Sequence, residues 1–119
     1  MGDAVNLMDE IRNGVTIVHV MTPCLLDPKL SEILTVRLCR LIESGASSML
    51  IDLSGVTRLS SVFFRSFITA GKKAKERKIL MAFCNLSPII MEGFTITGMN
   101  KIFSIFDSEQ KALVELSTE

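Results

Sequence analysis

The chain has 119 residues, 48% of them hydrophobic and 22% charged, with 13 basic and 13 acidic side chains and a formal net charge of zero. This length suits one domain that buries roughly two-thirds of its unfolded surface, and the composition excludes a disordered segment. The neutral balance argues against nucleic acid or an anionic membrane as a general partner.

In chain order, residues 5–21 read as a hairpin: Asn13-Gly14 is a strong turn dipeptide, followed by the β-branched run Val15-Thr16-Ile17-Val18-His19-Val20. Thr22-Pro23 interrupts the sheet pattern. Asp27-Pro28 opens a helix, with a capping acid followed by proline at the first helical position. Leu30, Ile33, Leu34, Leu38, Leu41 and Ile42 recur at three- and four-residue intervals and predict one apolar stripe, closed by Gly45.

Ser48 to Leu53 is a short apolar run predicted as a buried strand. Ser60 or Ser61 then caps a second helix whose inward face reads as Phe64, Phe67, Ile68, Gly71 and Ala74, leaving Phe63 outward. The basic run Lys72 to Lys78 at its end reads as a solvated turn complementing the helix dipole. Ile79 to Cys84 is a further buried strand. Ser87-Pro88 starts a third helix that Gly98 closes, Ile102 to Phe106 forms an edge strand, and an amphipathic turn or two follows with Ala112, Leu113 and Leu116 inward. Alternating strands and helices predict an α/β fold with a mostly parallel or mixed sheet.

Little in the sequence points to catalysis. Cys24, Cys39 and Cys84 are odd in number, form no C-x-x-C pair and read as buried small hydrophobes in a reducing compartment. His19, the single histidine, has no partner at a recognisable spacing and reads as an ordinary strand residue. Asp52 reads as a loop-capping residue, and Gly55 is too isolated to make a phosphate loop. The expectation is a protein that is no enzyme and carries no metal or cofactor. Without a secretory leader or an apolar run long enough to span a bilayer, it is expected in the cytoplasm.

Leu50-Ile51-Asp52-Leu53-Ser54-Gly55-Val56-Thr57-Arg58-Leu59-Ser60-Ser61 resembles the core strand and following loop of the STAS family, the anti-sigma-factor antagonists. Cys84-Asn85-Leu86-Ser87-Pro88 is similar to that family's next strand-to-helix junction, and the segment from Thr97 to Leu113 to its C-terminal signature. The resemblance implies a single STAS-like domain over residues 1–119, with a mixed β-sheet and about four α-helices packed largely on one face. It also implies a partner-switching role in signal transduction and transcription regulation. The implied partner is an anti-sigma factor or a switch-type serine kinase, bound through the start of the second helix.

In the family the switch is phosphorylation of a serine in a pattern close to Asp-Ser-Ser-Gly. The matching positions here are Ser60, Ser61, Val62 and Phe63, so the phosphorylation candidate is Ser61, with Ser60 as the alternate. Ser60 and Phe63 replace the acid and the glycine of the pattern. The expected partner-contact set is Asp27, Ser60, Ser61, Val62, Phe63, Ile89 and Met91, the last two as apolar residues beside Ile90 that cannot all point inward. A homodimer is left open. The alternative reading is a small-molecule, lipid-linked or transporter-associated STAS binding domain.

Overall fold

The computed structural model describes residues 5–117. β1 (Leu7–Arg12) and β2 (Val15–Val20) form the expected hairpin, paired antiparallel from Leu7↔Val20 to Arg12↔Val15. Asn13 and Gly14 have φ of 55° and 79°, the paired left-handed conformation whose twist matches a two-residue hairpin. The chain continues through β3 (Cys24–Leu25), α1 (Pro28–Glu43), β4 (Ser48–Asp52), β5 (Arg58–Leu59), α2 (Ser61–Glu76) and β6 (Leu80–Cys84). α3 (Pro88–Thr97), α4 (Met99–Ile102), β7 (Ser104–Phe106) and α5 (Glu109–Leu116) complete it.

Five strands form a mixed sheet in the order β1-β2-β4-β6-β7, with every pair after the hairpin parallel. Among the described residues, four of the five helices have eight residues or more, which agrees with the expected architecture. Strand alternation sends Val18, Val20, Met49, Ile51, Met81 and Phe83 to the face covered by α1, α2 and α3. Val15, Ile17, Leu50, Ala82 and Cys84 face the other way and meet Ala112 and Leu113 of α5.

Several expectations need correction. Ile33 is 40% exposed, and α1 turns Leu30, Ser31, Leu34, Leu38 and Ile42 inward instead. On α2 the buried residues are Phe63, Ser66, Phe67, Ala70 and Ala74. Phe63, expected to point outward as a partner contact, is 0% exposed. The reason is that Ser66 packs against α1, where its hydroxyl donates to the Ser31 carbonyl at 3.0 Å and so tolerates burial. Phe64 then falls to the flank and lies half-buried, edge-on to Phe94 with ring centroids 5.5 Å apart.

At the other end of the sheet, Ile102 belongs to α4, so the edge strand starts at Ser104. Cys84 is buried as expected, but Cys39 is half-buried and Cys24 exposed, because the short β3 runs along the surface.

Candidate functional site

The short parallel ladder of β3 and β5 was not legible in the sequence, and it decides where two helices begin. Leu25 pairs with Leu59, and the Ser60 N–H donates to the Leu25 carbonyl at 2.9 Å. Two residues beyond each pairing position, Asp27 and Ser61 stand at the starts of α1 and α2. The helices run side by side in the same direction, tied by the Ser66–Ser31 bond.

Asp27 is exposed and caps α1, its Oδ1 accepting the Lys29 N–H at 3.0 Å. Ser60 occupies the cap position of α2 with extended backbone, yet its hydroxyl makes no capping bond. Its Oγ is buried and has no partner among the described residues. Ser61, the first helical residue, is exposed, and its hydroxyl is free of hydrogen bonds among the described residues. The first turn of α2 has no acidic residue, so its free N–H groups leave a positive end with no acid in that turn to offset it.

Half-buried Val62 lines a groove of about 330 Å³ between α1 and α2, together with Glu32, Thr35, Val36 and Arg65. The structure therefore gathers Asp27, Ser60, Ser61 and Val62 at one end of the molecule. Ile89 (72% exposed) and half-buried Met91 stand on α3, which packs beside β5.

A second cluster lies on the opposite face of the sheet. The register aligns Met8, His19, Asp52, Cys84 and Phe106 in one row across the five strands. His19 is not the ordinary strand residue its isolation in the sequence suggests. Its Nδ1 lies 2.7 Å from Asp52 Oδ2 and its Nε2 2.8 Å from Glu10 Oε2. Arg12 bridges Glu10, at 2.9 Å, and Glu109, at 2.5 Å. The other oxygen of Asp52 accepts from the Ser54 N–H and from Asn85 Nδ2, both at 3.0 Å, so Asp52 is also the loop cap the sequence suggested.

Burial pulls the His19 pKa down, but the hydrogen bonds to Glu10 and Asp52 outweigh it and raise the value above 6.5. For Asp52, burial works upward, and the bonds from Asn85, Ser54 and His19 prevail to hold the carboxyl below its ordinary value. Glu10 is lowered by its bonds to His19 and Arg12. Burial, with the Asp52 charge, pushes the Cys84 thiol up to about 12, which leaves it a poor nucleophile.

Ligand-type atoms of His19, Asp52 and Glu109 lie within 4.8 Å of one another, close enough for a cation. Both imidazole nitrogens already face carboxylates, however, and Arg12 holds Glu109. The cluster as built is an ion-pair network joining β1, β2, β4 and α5.

A model of the STAS domain family matches residues 6–112. BtrV of Bordetella bronchiseptica, named as a candidate anti-sigma factor antagonist, is 25% identical over 74% of this chain and 76% of its own. The crystal structure of an anti-sigma factor antagonist from Mycobacterium paratuberculosis superposes with a TM-score of 0.85 at 20% identity, over 99% of this chain and 98% of that one. The murine anion transporter Slc26a9 shares the fold at a TM-score of 0.74 and 16% identity, over 89% of this chain and 18% of the transporter. Among the described residues, no helix is long and apolar enough to cross a membrane.

Proposed function

The chain belongs to the STAS domain family, and on that premise we propose that it is a non-catalytic cytoplasmic regulatory module that binds an anti-sigma factor or a switch-type serine kinase. The binding face comprises Asp27, Ser61 and Val62 at the paired helix starts, extended by Ile89 and Met91 of α3. One observation supports the reading: Asp27 and Ser61 each stand two residues beyond a paired position of the β3–β5 ladder, and the Ser61 hydroxyl is exposed and free of hydrogen bonds among the described residues.

Ser61 is the residue through which the face is switched. A phosphate there adds about −1.5 to −2 charges. It sits at the positive end of a 16-residue helix, with Arg65 one turn further along at the spacing where helical side chains meet. The domain accommodates the dianion without rearrangement, and a partner packed over it is expelled by repulsion and desolvation. Phe63 leaves the contact set because it is buried, so the residue that stands for the pattern's glycine serves the core.

The test is binding of wild type and Ser61→Asp to the serine-kinase anti-sigma factors of the source organism, measured by titration calorimetry. Wild type should bind at least one, and Ser61→Asp should weaken it about tenfold or more, equivalent to about 1.4 kcal/mol. Equal binding by both proteins overturns the switch. The Slc26a9 likeness favours a second reading, a transporter-associated or small-molecule-binding STAS domain. Native mass spectrometry decides for that reading if the gently purified protein retains a small molecule.

A further inference from the structure

The basic run that ends α2 divides between two sides of the helix. Lys73 pairs with Glu43 at 2.5 Å. Lys75 and Lys78 turn instead toward Lys101 of α4, and the three line a groove of about 610 Å³ whose apolar wall includes Leu80, Ile102 and Phe103. Leu80 and Ile102 are 66% and 61% exposed. The lining contains no carboxylate, and none of the three lysines has an ion-pair partner among the described residues.

Other grooves of this protein, whose net charge is zero, carry both signs of charge. The one between α1 and α2 holds Glu32 with Arg65, and the one beside β1 holds Asp9 with Arg37 and Arg40. Lys78 also adopts φ +60°, a left-handed conformation in which glycine would be unstrained and a lysine side chain is disfavoured. Ser104, at the rim, begins β7, the outermost strand of the sheet. The free edge of such a strand offers backbone N–H and C=O groups to an incoming extended segment.

We propose that this groove docks an extended segment of a protein partner that alternates acidic and apolar residues. Its carboxylates meet Lys75, Lys78 and Lys101, its apolar residues cover Leu80 and Ile102, and its backbone continues the sheet beyond β7. A lipid headgroup would satisfy the lysines but not the strand edge, which favours a polypeptide. The groove lies at the C-terminal end of α2, where Lys75 stands about 21 Å along the helix from Ser61. Both ends can therefore be occupied together, and the proposal is independent of the Ser61 switch.

The experiment follows backbone amide shifts of the isotope-labelled full chain during titration with a short acetylated peptide alternating aspartate and leucine. Saturating shifts should be confined to residues 75–80 and 101–106 and should weaken with salt. Lys78→Glu with Lys101→Glu should reduce affinity about tenfold or more, while Ser61→Asp leaves it unchanged. Lys78→Gly keeps the test sound if the double variant misfolds: it removes a charge and the backbone strain, so it should melt higher yet bind more weakly. Shifts at the helix starts, no shifts at all, or equal binding of a lysine–leucine peptide would sink the proposal. So would groove shifts that appear on raising protein concentration without peptide, which mean a second copy. Groove shifts produced by phosphatidylglycerol vesicles and not by the peptide mean a membrane surface and overturn it too.

Discussion

On one face of the sheet, Phe83 sits edge-on to Phe67, Phe94 and Phe103, with ring centroids 5.0, 5.0 and 5.1 Å away. On the other, the same row of strands ends in His19 gripped between Glu10 and Asp52. The aromatic cluster is held by area and shape, which are indifferent to protonation. The polar cluster is held by directed bonds between groups that titrate. α5, only 8 residues long, is too short to persist alone. It depends on Ala112, Leu113 and the Arg12–Glu109 pair for its place on the sheet. The two faces should therefore fail under different stresses.

The largest effect is expected on the aromatic face. Phe83→Ala removes the ring that touches three others and should cost about 3–5 kcal/mol in denaturant unfolding, with little dependence on pH. A loss under about 1 kcal/mol would mean that the cluster repacks freely, which close-packed interiors resist.

The next prediction concerns pH. His19 binds its proton more tightly when folded, so its contribution is complete below its ordinary value near 6.5 and fades as pH rises through the raised folded value. Glu10 and Asp52 have lowered values, so theirs stand above the ordinary carboxylate values of 4.5 and 3.8 and vanish as pH falls. The groups facing the imidazole are Glu10, Asp52 and Glu109, with Arg12 behind the two glutamates and Cys84 on the far side of Asp52. Thermal melts should peak on the mildly acidic side and decline toward pH 8. His19→Gln should flatten that alkaline decline, and an undiminished slope in the variant would assign it to another group.

The smallest effects are expected at the helix starts. Ser61→Ala should change stability by less than about 0.5 kcal/mol, as an exposed residue without bonds does. Ser60→Ala should be neutral or slightly stabilising, because it removes a buried hydroxyl that has no partner. Paired melts of the two variants check this, and a cost near 1 kcal/mol for Ser61→Ala would restore it as a helix cap.

Much of this architecture was legible one element at a time. Asn13-Gly14 specified a tight hairpin turn, and Asp27-Pro28 and Ser87-Pro88 specified helix starts, because capping and turn chemistry act within four residues. The phase of α2 was not legible. Phe63 and Phe64 both fit an apolar stripe, and a serine at position 66 reads as outward until the Ser31 carbonyl is there to receive it. The β3–β5 ladder left no signal in the sequence because two-residue strands carry no periodicity.

Local propensity and short motifs account for the order and identity of the main elements, the position of Ser61 at a helix start and the membership of a family. What those elements bring together is settled in three dimensions. His19 meets Asp52 from 33 residues away through parallel register. The segments that lead into α1 and α2 come together through a ladder of two residues per strand. Lys75 and Lys78 meet Lys101 where α2 ends near β7. Such juxtapositions depend on which strands pair and which faces pack, and those choices are made by the burial of the whole core at once.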